Sequence, residues 1–117
     1  MIQEFDIPIF KKTYDLYRQF HHLRNKAAKQ DRFTIYLKTE NILLEIIEGI
    51  LEASELSKNE KLPILKKTSL NLNLLRVFVR LLKDTKSIDL KSYALLEENI
   101  DEIGRMLGGW IKSTKEA

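Results

Sequence analysis

Four windows of about 22 residues, in each of which apolar side chains recur every three or four positions, make up most of this 117-residue chain. Strand signals are scarce, because alternating stretches are few and the chain holds only four glycines and two prolines. The pattern therefore predicts an all-α fold. The short intervals between the windows favour a single domain, residues 1–117, folded as an antiparallel up-down four-helix bundle.

Capping residues and prolines place most of the helix boundaries. The first helix is predicted over Pro8–Lys29, since proline in the first turn replaces an N–H that has no intrahelical partner. The second helix is predicted over Phe33–Glu55. The fourth is predicted to begin after Asp89, a good N-cap residue, and to end near Ser113.

The third helix has two candidate starting points. Ser57 and Glu60 have the spacing of a capping box, but a helix beginning there would carry Pro63 beyond its first turn, where the missing N–H removes a hydrogen bond. We therefore expect this helix to begin between Glu60 and Pro63 and to end near Lys83.

The apolar face of the third helix is too wide for one core, and the second helix repeats the pattern. At 100° per residue its apolar residues cover about 220°, whereas a helix that faces one core needs a stripe of about 100°. These residues are Leu70, Leu72, Leu74, Leu75, Val77, Phe78, Val79, Leu81 and Leu82. We expect the surplus surface to be buried in a homo-oligomer. The alternative is a helix that lies more centrally in its own bundle.

The net charge of +3 hides an alternation of sign along the chain. Residues 7–32 carry +5 and residues 58–86 carry +6, whereas residues 33–57 carry −4 and residues 87–117 carry −2. Attraction between antiparallel neighbours explains much of this pattern. The excess on the first and third helices, which are diagonal in an up-down bundle, predicts two basic strips of a kind that attracts RNA or DNA through the phosphate backbone.

Two groups of basic residues are candidate binding positions. Arg76, Arg80 and Lys83 lie on one line of the third helix, and guanidinium groups in such a line suit phosphate or carboxylate recognition. The alternatives are a solvated face or ion pairs with carboxylates of the second or fourth helix. Arg18 and Lys29 share a face of the predicted first helix, and a solvated face is the main alternative for them.

Glycines inside the predicted fourth helix indicate close packing. Gly104 and Gly108 lie one turn apart, and each costs about 1 kcal/mol relative to alanine in a helix interior. We expect them to let another helix approach, within or between subunits, while Trp110 fills the space beside them.

Catalytic and metal chemistry is not predicted. Cysteine is absent, and the two adjacent histidines, His21 and His22, point about 100° apart on a helix and cannot bind one metal ion together. Phosphate-binding glycine loops and nucleophile elbows are missing as well. We expect no cofactor, no metal and no catalytic residue. Without a signal peptide or an apolar run of roughly 18 residues, a cytoplasmic location away from membranes is expected.

Residues 101–112, which read Asp-Glu-Ile-Gly-Arg-Met-Leu-Gly-Gly-Trp-Ile-Lys, resemble the end of the last helix in the Avd family. These are the accessory variability determinant proteins of diversity-generating retroelements. The resemblance continues through residues 9–16, 32–33 and 75–82 and covers nearly the whole chain. The upstream stretches are also similar to a broader group of four-helix proteins, which includes proteins encoded in intervening sequences of 23S ribosomal RNA genes.

The resemblance implies a homopentameric barrel whose basic exterior binds a reverse transcriptase and nucleic acid. It implies an accessory protein without catalytic activity, required for mutagenic retrohoming, in which the reverse transcriptase copies a template RNA into adenine-mutagenised cDNA. Arg76 and Arg80 match an arginine pair on the third helix of the family. The alternative function is a structural or protein-interaction role like that of the 23S intervening-sequence group.

Overall fold

The computed structural model describes residues 7–116. Its four α-helices are α1 (Pro8–His21), α2 (Ile35–Ser54), α3 (Lys58–Asp84) and α4 (Leu90–Glu116), and a short 3-10 turn, Lys29–Asp31, lies between α1 and α2. The helices α1 and α3 each pack against both α2 and α4 and are diagonal to one another. No strand occurs within residues 7–116, so the predicted all-helical fold with four helices is confirmed.

All four helices contribute to one apolar core. Its largest fully buried side chains are Leu16, Phe20, Tyr36, Leu43, Ile46, Ile50, Leu65, Leu75, Leu82, Leu96, Ile100 and Ile103. Phe20 and Tyr36 stack with ring centroids 4.4 Å apart, and the Tyr36 hydroxyl donates to the Phe20 carbonyl. Burial raises the pKa of Tyr36, and the charge of Glu40 adds to the effect, so the phenol remains a hydrogen-bond donor.

The first helix ends at His21, so its predicted continuation to Lys29 is wrong. The Phe20 carbonyl accepts the Tyr36 hydroxyl and the Leu23 N–H, which bonds three residues back as in a 3-10 turn. From there the chain folds over the end of the bundle and buries Leu23 and Ala27 against the core. A local helical pattern does not reveal this, because the competing hydroxyl belongs to the next helix.

The third helix begins at Lys58, earlier than predicted. Ser57 is its N-cap residue, and the Ser57 hydroxyl donates to the Glu60 carboxylate at 2.7 Å. Pro63 lies inside the helix and leaves the Asn59 carbonyl without its intrahelical donor. Both residues are exposed, so water can bind that carbonyl and the proline is tolerated.

The start of the fourth helix is as predicted, while its end lies three residues beyond the expected Ser113. The Asp89 carboxylate accepts the Ser92 N–H at 2.7 Å, which is the hydrogen bond of an N-cap. Hydrogen bonding from the Ser92 side chain and then from its N–H, followed by the charges of Lys26 and Lys91, lowers the pKa of Asp89 below its usual 3.8. The carboxylate therefore stays ionised under ordinary conditions.

Candidate functional site

Arg76 is held against α4. Its guanidinium bonds to the Asp101 carboxylate, and a Cβ atom added at Gly104 would lie 2.7 Å from Arg76 Nη2. The side chain of Arg76 is 36% exposed. Gly104 therefore leaves the space that the arginine occupies. The ion pair between Arg76 and Asp101 confirms, for this residue, the alternative of an ion pair with a carboxylate of the fourth helix.

Arg80 and Lys83 continue the line toward the end of α3. The Arg80 side chain is 70% exposed, and its Nε lies 3.7 Å from Asp84. Lys83 lies 3.4 Å from the same carboxylate and 4.7 Å above the Tyr93 ring. An exposed i, i+4 ion pair is worth less than about 1 kcal/mol, so Arg80 can leave Asp84 for another anion at little cost.

Arg18 and Lys29 do not share a helix face, because α1 ends between them. Arg18 lies in the last turn of α1, and Lys29 begins the 3-10 turn; both are exposed. Any joint action of these two residues depends on the fold of residues 22–34 rather than on helical spacing.

The two remaining glycines of α4 face open space. No heavy atom lies within 4 Å of a Cβ built at Gly108 or Gly109, and both residues are exposed. Trp110 is partly buried against the core, with the Lys61 ammonium 5.5 Å above its ring. Within one chain, Gly104 alone of these glycines admits another side chain.

Four apolar residues of α3 form an exposed line, here called the α3 strip. Leu70 is 68% exposed and Val77 59%, and Leu74 and Leu81 complete spacings of four, three and four. Side chains at such spacings lie on one face of a helix, as in the seam of a coiled coil. The strip is the part of the wide apolar face of α3 that one bundle does not bury.

Basic residues gather at one end of the bundle. The segment between α1 and α2 meets the α3–α4 turn, where the Ala28 N–H donates to the Ser87 hydroxyl at 3.3 Å. We call residues 18–38 and 80–91 the basic end; they contain ten basic and three acidic residues. The C-terminal ends of α1 and α3 both lie on this side, so the basic residues there are brought together. The remaining basic residues of α1 and α3, which include Lys11, Lys12, Lys58, Lys61, Lys66 and Lys67, lie toward the other end.

Within residues 7–116, no group of three or more His, Cys, Asp or Glu side chains is placed to hold a metal ion. None of the helices in this part of the chain is long and apolar enough to cross a membrane.

His21 lies 3.6 Å from Glu40, which also accepts the Tyr17 hydroxyl at 3.3 Å. Burial and the neighbouring Glu40 raise the pKa of Tyr17.

Comparison with family models decides the relationship of the chain. Residues 8–114 match the model of the family described as bAvd-like. The chain belongs to the bAvd-like family. The predicted relationship to Avd proteins is thereby confirmed over almost the full length.

A solved structure shares the fold of this bAvd-like chain. It is the crystal structure of a protein of unknown function from the S23 ribosomal protein family of Bacteroides thetaiotaomicron. The TM-score is 0.80 at 20% sequence identity, and the match covers 89% of this chain and 98% of the other. At that identity the likeness shows the fold alone. A search of curated proteins found no match.

Three further residues of the basic end are not among the binding positions predicted from the sequence. Lys26 and Lys86 lie outside the helices, where helical spacing carries no information, and Phe33, the predicted first residue of the second helix, lies before α2. All three are exposed. The density of positive charge on residues 22–34, with four basic residues and one acidic residue, could have indicated Lys26. Residues 85–89 carry no net charge, so no such signal marks Lys86, and charge does not indicate Phe33.

Proposed function

We propose that this bAvd-like chain is a non-enzymatic accessory protein of a diversity-generating retroelement. It binds the reverse transcriptase and the template RNA or its cDNA through basic surface residues in the cytoplasm, and so supports mutagenic retrohoming. The match of residues 8–114 to the bAvd-like family carries this proposal. The concentration of ten basic residues at one end supplies the electrostatic attraction that a phosphate backbone requires.

Self-assembly into a homopentamer is part of the proposal. The α3 strip supports it, because a contiguous apolar line that is rimmed by polar residues typically marks a protein interface. The open face at Gly108 and Gly109 offers a second place at which a neighbouring helix fits closely. Light scattering at tens of micromolar tests assembly: a particle of five 13.8 kDa chains is expected, and a strict monomer would refute it.

Recovery of the reverse transcriptase tests the arginines. In a pull-down from a co-expressing strain, Arg80→Gln and the double variant Arg76→Ala with Arg80→Ala should recover less enzyme than the wild type. Lys66→Ala with Lys67→Ala is the matched control, because it removes two exposed charges from the other half of α3. Arg80→Gln leaves the Asp101 contact intact, so a loss of binding in this variant does not come from misfolding. Equal recovery by all variants would remove the arginines from this role.

The second candidate is a structural or protein-interaction role like that of the 23S intervening-sequence group. The fold of the S23-family structure favours it. Genomic context separates the two functions. A neighbouring reverse-transcriptase gene with template and variable repeats supports the first, whereas a position inside a 23S ribosomal RNA gene supports the second.

A further inference from the structure

An open cleft of about 460 Å³ lies in the basic end, between the α3–α4 turn and the segment that follows α1. Three lysines line it: Lys26 from that segment, and Lys83 and Lys86 from the end of α3 and the turn. Asp89 is the acidic residue of the lining, and its carboxylate is engaged as the N-cap of α4. The lysine cleft therefore presents an excess of positive charge around a space large enough for a ligand.

Lys86 occupies a backbone conformation that favours glycine. Its φ of 62° lies in the left-handed region, and α3 ends in a Schellman motif around it. In this motif the Ser87 N–H donates to the Leu82 carbonyl at 2.8 Å, and the Lys86 N–H donates to the Lys83 carbonyl at 2.9 Å. The turn thus places an ammonium group at the cleft although its local geometry would be more stable with glycine.

An exposed aromatic ring lies on the segment between α1 and α2, which also contributes Leu23 and Lys26 to the cleft. Phe33 is 72% exposed, and the Arg24 guanidinium lies 5.5 Å from the centre of its ring. Arg24 directly follows Leu23, which lines the cleft. A phenyl ring exposed to this degree loses the hydrophobic stabilisation of burial, and an adjacent cationic surface makes it suited to stacking on a nucleic-acid base.

From this arrangement we infer that the lysine cleft and Phe33 bind one single-stranded segment of nucleic acid. The ammonium groups of Lys26 and Lys86 contact backbone phosphates, joined by Lys83 when it leaves Asp84, and Phe33 stacks on an unpaired base. Stacking requires a base whose face is free, which a continuous duplex does not offer. The inference rests on the nucleic-acid part of the proposed function and adds the place and the strandedness of binding.

The test is fluorescence anisotropy of the full chain with a labelled single-stranded RNA of about 16 nucleotides, a length that spans one such surface. The same RNA in a duplex is the second probe, and affinity is measured over a series of salt concentrations. The variants are Lys86→Gly, Lys86→Gly with Lys26→Ala, and Phe33→Ala. The matched control is Lys112→Ala with Lys115→Ala, which removes two exposed charges from the opposite end of α4.

Each variant has its own expected signature. The slope of log affinity against log salt should become shallower by about 0.7 for Lys86→Gly and by about 1.4 for the double variant. The reason is that binding releases fewer counterions for each phosphate contact that is lost. Phe33→Ala should weaken single-strand binding about fivefold or more and leave duplex binding unchanged. The control should retain the wild-type slope. Lys86→Gly should melt at or above the wild-type temperature, so its lost affinity cannot come from unfolding.

Each contrary outcome refutes a different part of the inference. A wild-type chain that binds neither probe overturns this inference and the nucleic-acid part of the proposed function together. Wild-type binding with unchanged slopes in both lysine variants overturns the cleft assignment alone. Normal single-strand binding by Phe33→Ala overturns the stacking contact. Cleft variants that bind RNA normally but recover less reverse transcriptase would make the cleft a protein-binding surface, which also refutes the inference.

Discussion

Gly104 of α4 leaves the gap into which the Arg76 guanidinium of α3 fits, and Asp101, three residues earlier on α4, accepts its hydrogen bond. One helix thus supplies both the space and the anion. An arginine that looks available on a helical line is therefore positioned by its neighbour, while Arg80, one turn further on, stays exposed. A partner that binds along this side of α3 would therefore contact the Arg76 guanidinium, which Asp101 holds in place, and the Arg80 guanidinium, which is more exposed.

Releasing Arg76 should strengthen nucleic-acid binding. We expect Asp101→Asn to bind single-stranded RNA more tightly, with a salt slope steeper by about 0.7, because a freed guanidinium gains one phosphate contact. Glu98→Gln is the control, since it removes an exposed carboxylate from the same helix. Anisotropy titrations that show equal gains for both variants would mean that net charge, and not the release of Arg76, is responsible.

Two glycine substitutions should act in opposite directions on stability. Gly108→Ala should raise the free energy of unfolding by about 1 kcal/mol, because alanine favours the helix and its Cβ atom meets open space. Gly49→Ala should lower it by about 1–3 kcal/mol, because its Cβ atom would overlap the hydroxyl of the buried Thr68. Urea denaturation measures both. In the dissociated chain, a loss of stability in Gly108→Ala would contradict the open face. A loss confined to the assembled protein is the result expected if another subunit packs there as proposed.

The N-cap of α4 should make stability depend on pH in the acidic range. The pKa of Asp89 in the folded chain lies below its usual 3.8, so the ionised carboxylate stabilises the fold above that pH. This stabilisation is lost as the pH falls below 3.8 and through the lowered pKa. Melting temperatures of the wild type and Asp89→Ala, measured from about pH 6 to about pH 2, should therefore converge at the acidic limit.

Asp89→Asn provides the control for this titration. Asparagine caps a helix about as well as aspartate but carries no charge. Its melting temperature relative to that of Asp89→Ala should therefore stay constant over the same pH range. A constant difference between the wild type and Asp89→Ala down to the acidic limit would refute the assigned pKa shift.

Charge on the α3 strip should disrupt self-assembly. Val77→Glu places a carboxylate in the middle of the strip, where burial of an unpaired charge costs about 3 kcal/mol, so the dissociation constant should rise about a hundredfold or more. Light scattering should show a shift of mass toward the 13.8 kDa chain. Leu95→Glu, at an exposed position of α4 outside the strip, should assemble like the wild type. Assembly of Val77→Glu at wild-type concentrations would exclude the strip from the interface.

Apolar periodicity predicted the number and order of the helices, and the residues of the last helix carried the resemblance to the family. Apolar spacing predicted the four helices, the Asp89 carboxylate marked the start of the last one, and the residues around Gly104 carried the resemblance that the family model confirms. Helical periodicity and N-caps depend on contacts within about one helical turn, so they can be predicted from a short stretch of sequence.

The sequence by itself determined the number and order of the helices and how much charge each segment carries. Only the tertiary structure decided that Tyr36 ends α1 by bonding to a carbonyl 16 residues earlier, that Asp101 and Gly104 hold Arg76, and that Lys26 and Lys86 face one cleft. The physical reason is that hydrogen bonds, ion pairs and electrostatic potentials between helices depend on which side chains lie opposite each other where two helices pack. Residues far apart in the chain meet there, and no local pattern specifies which ones.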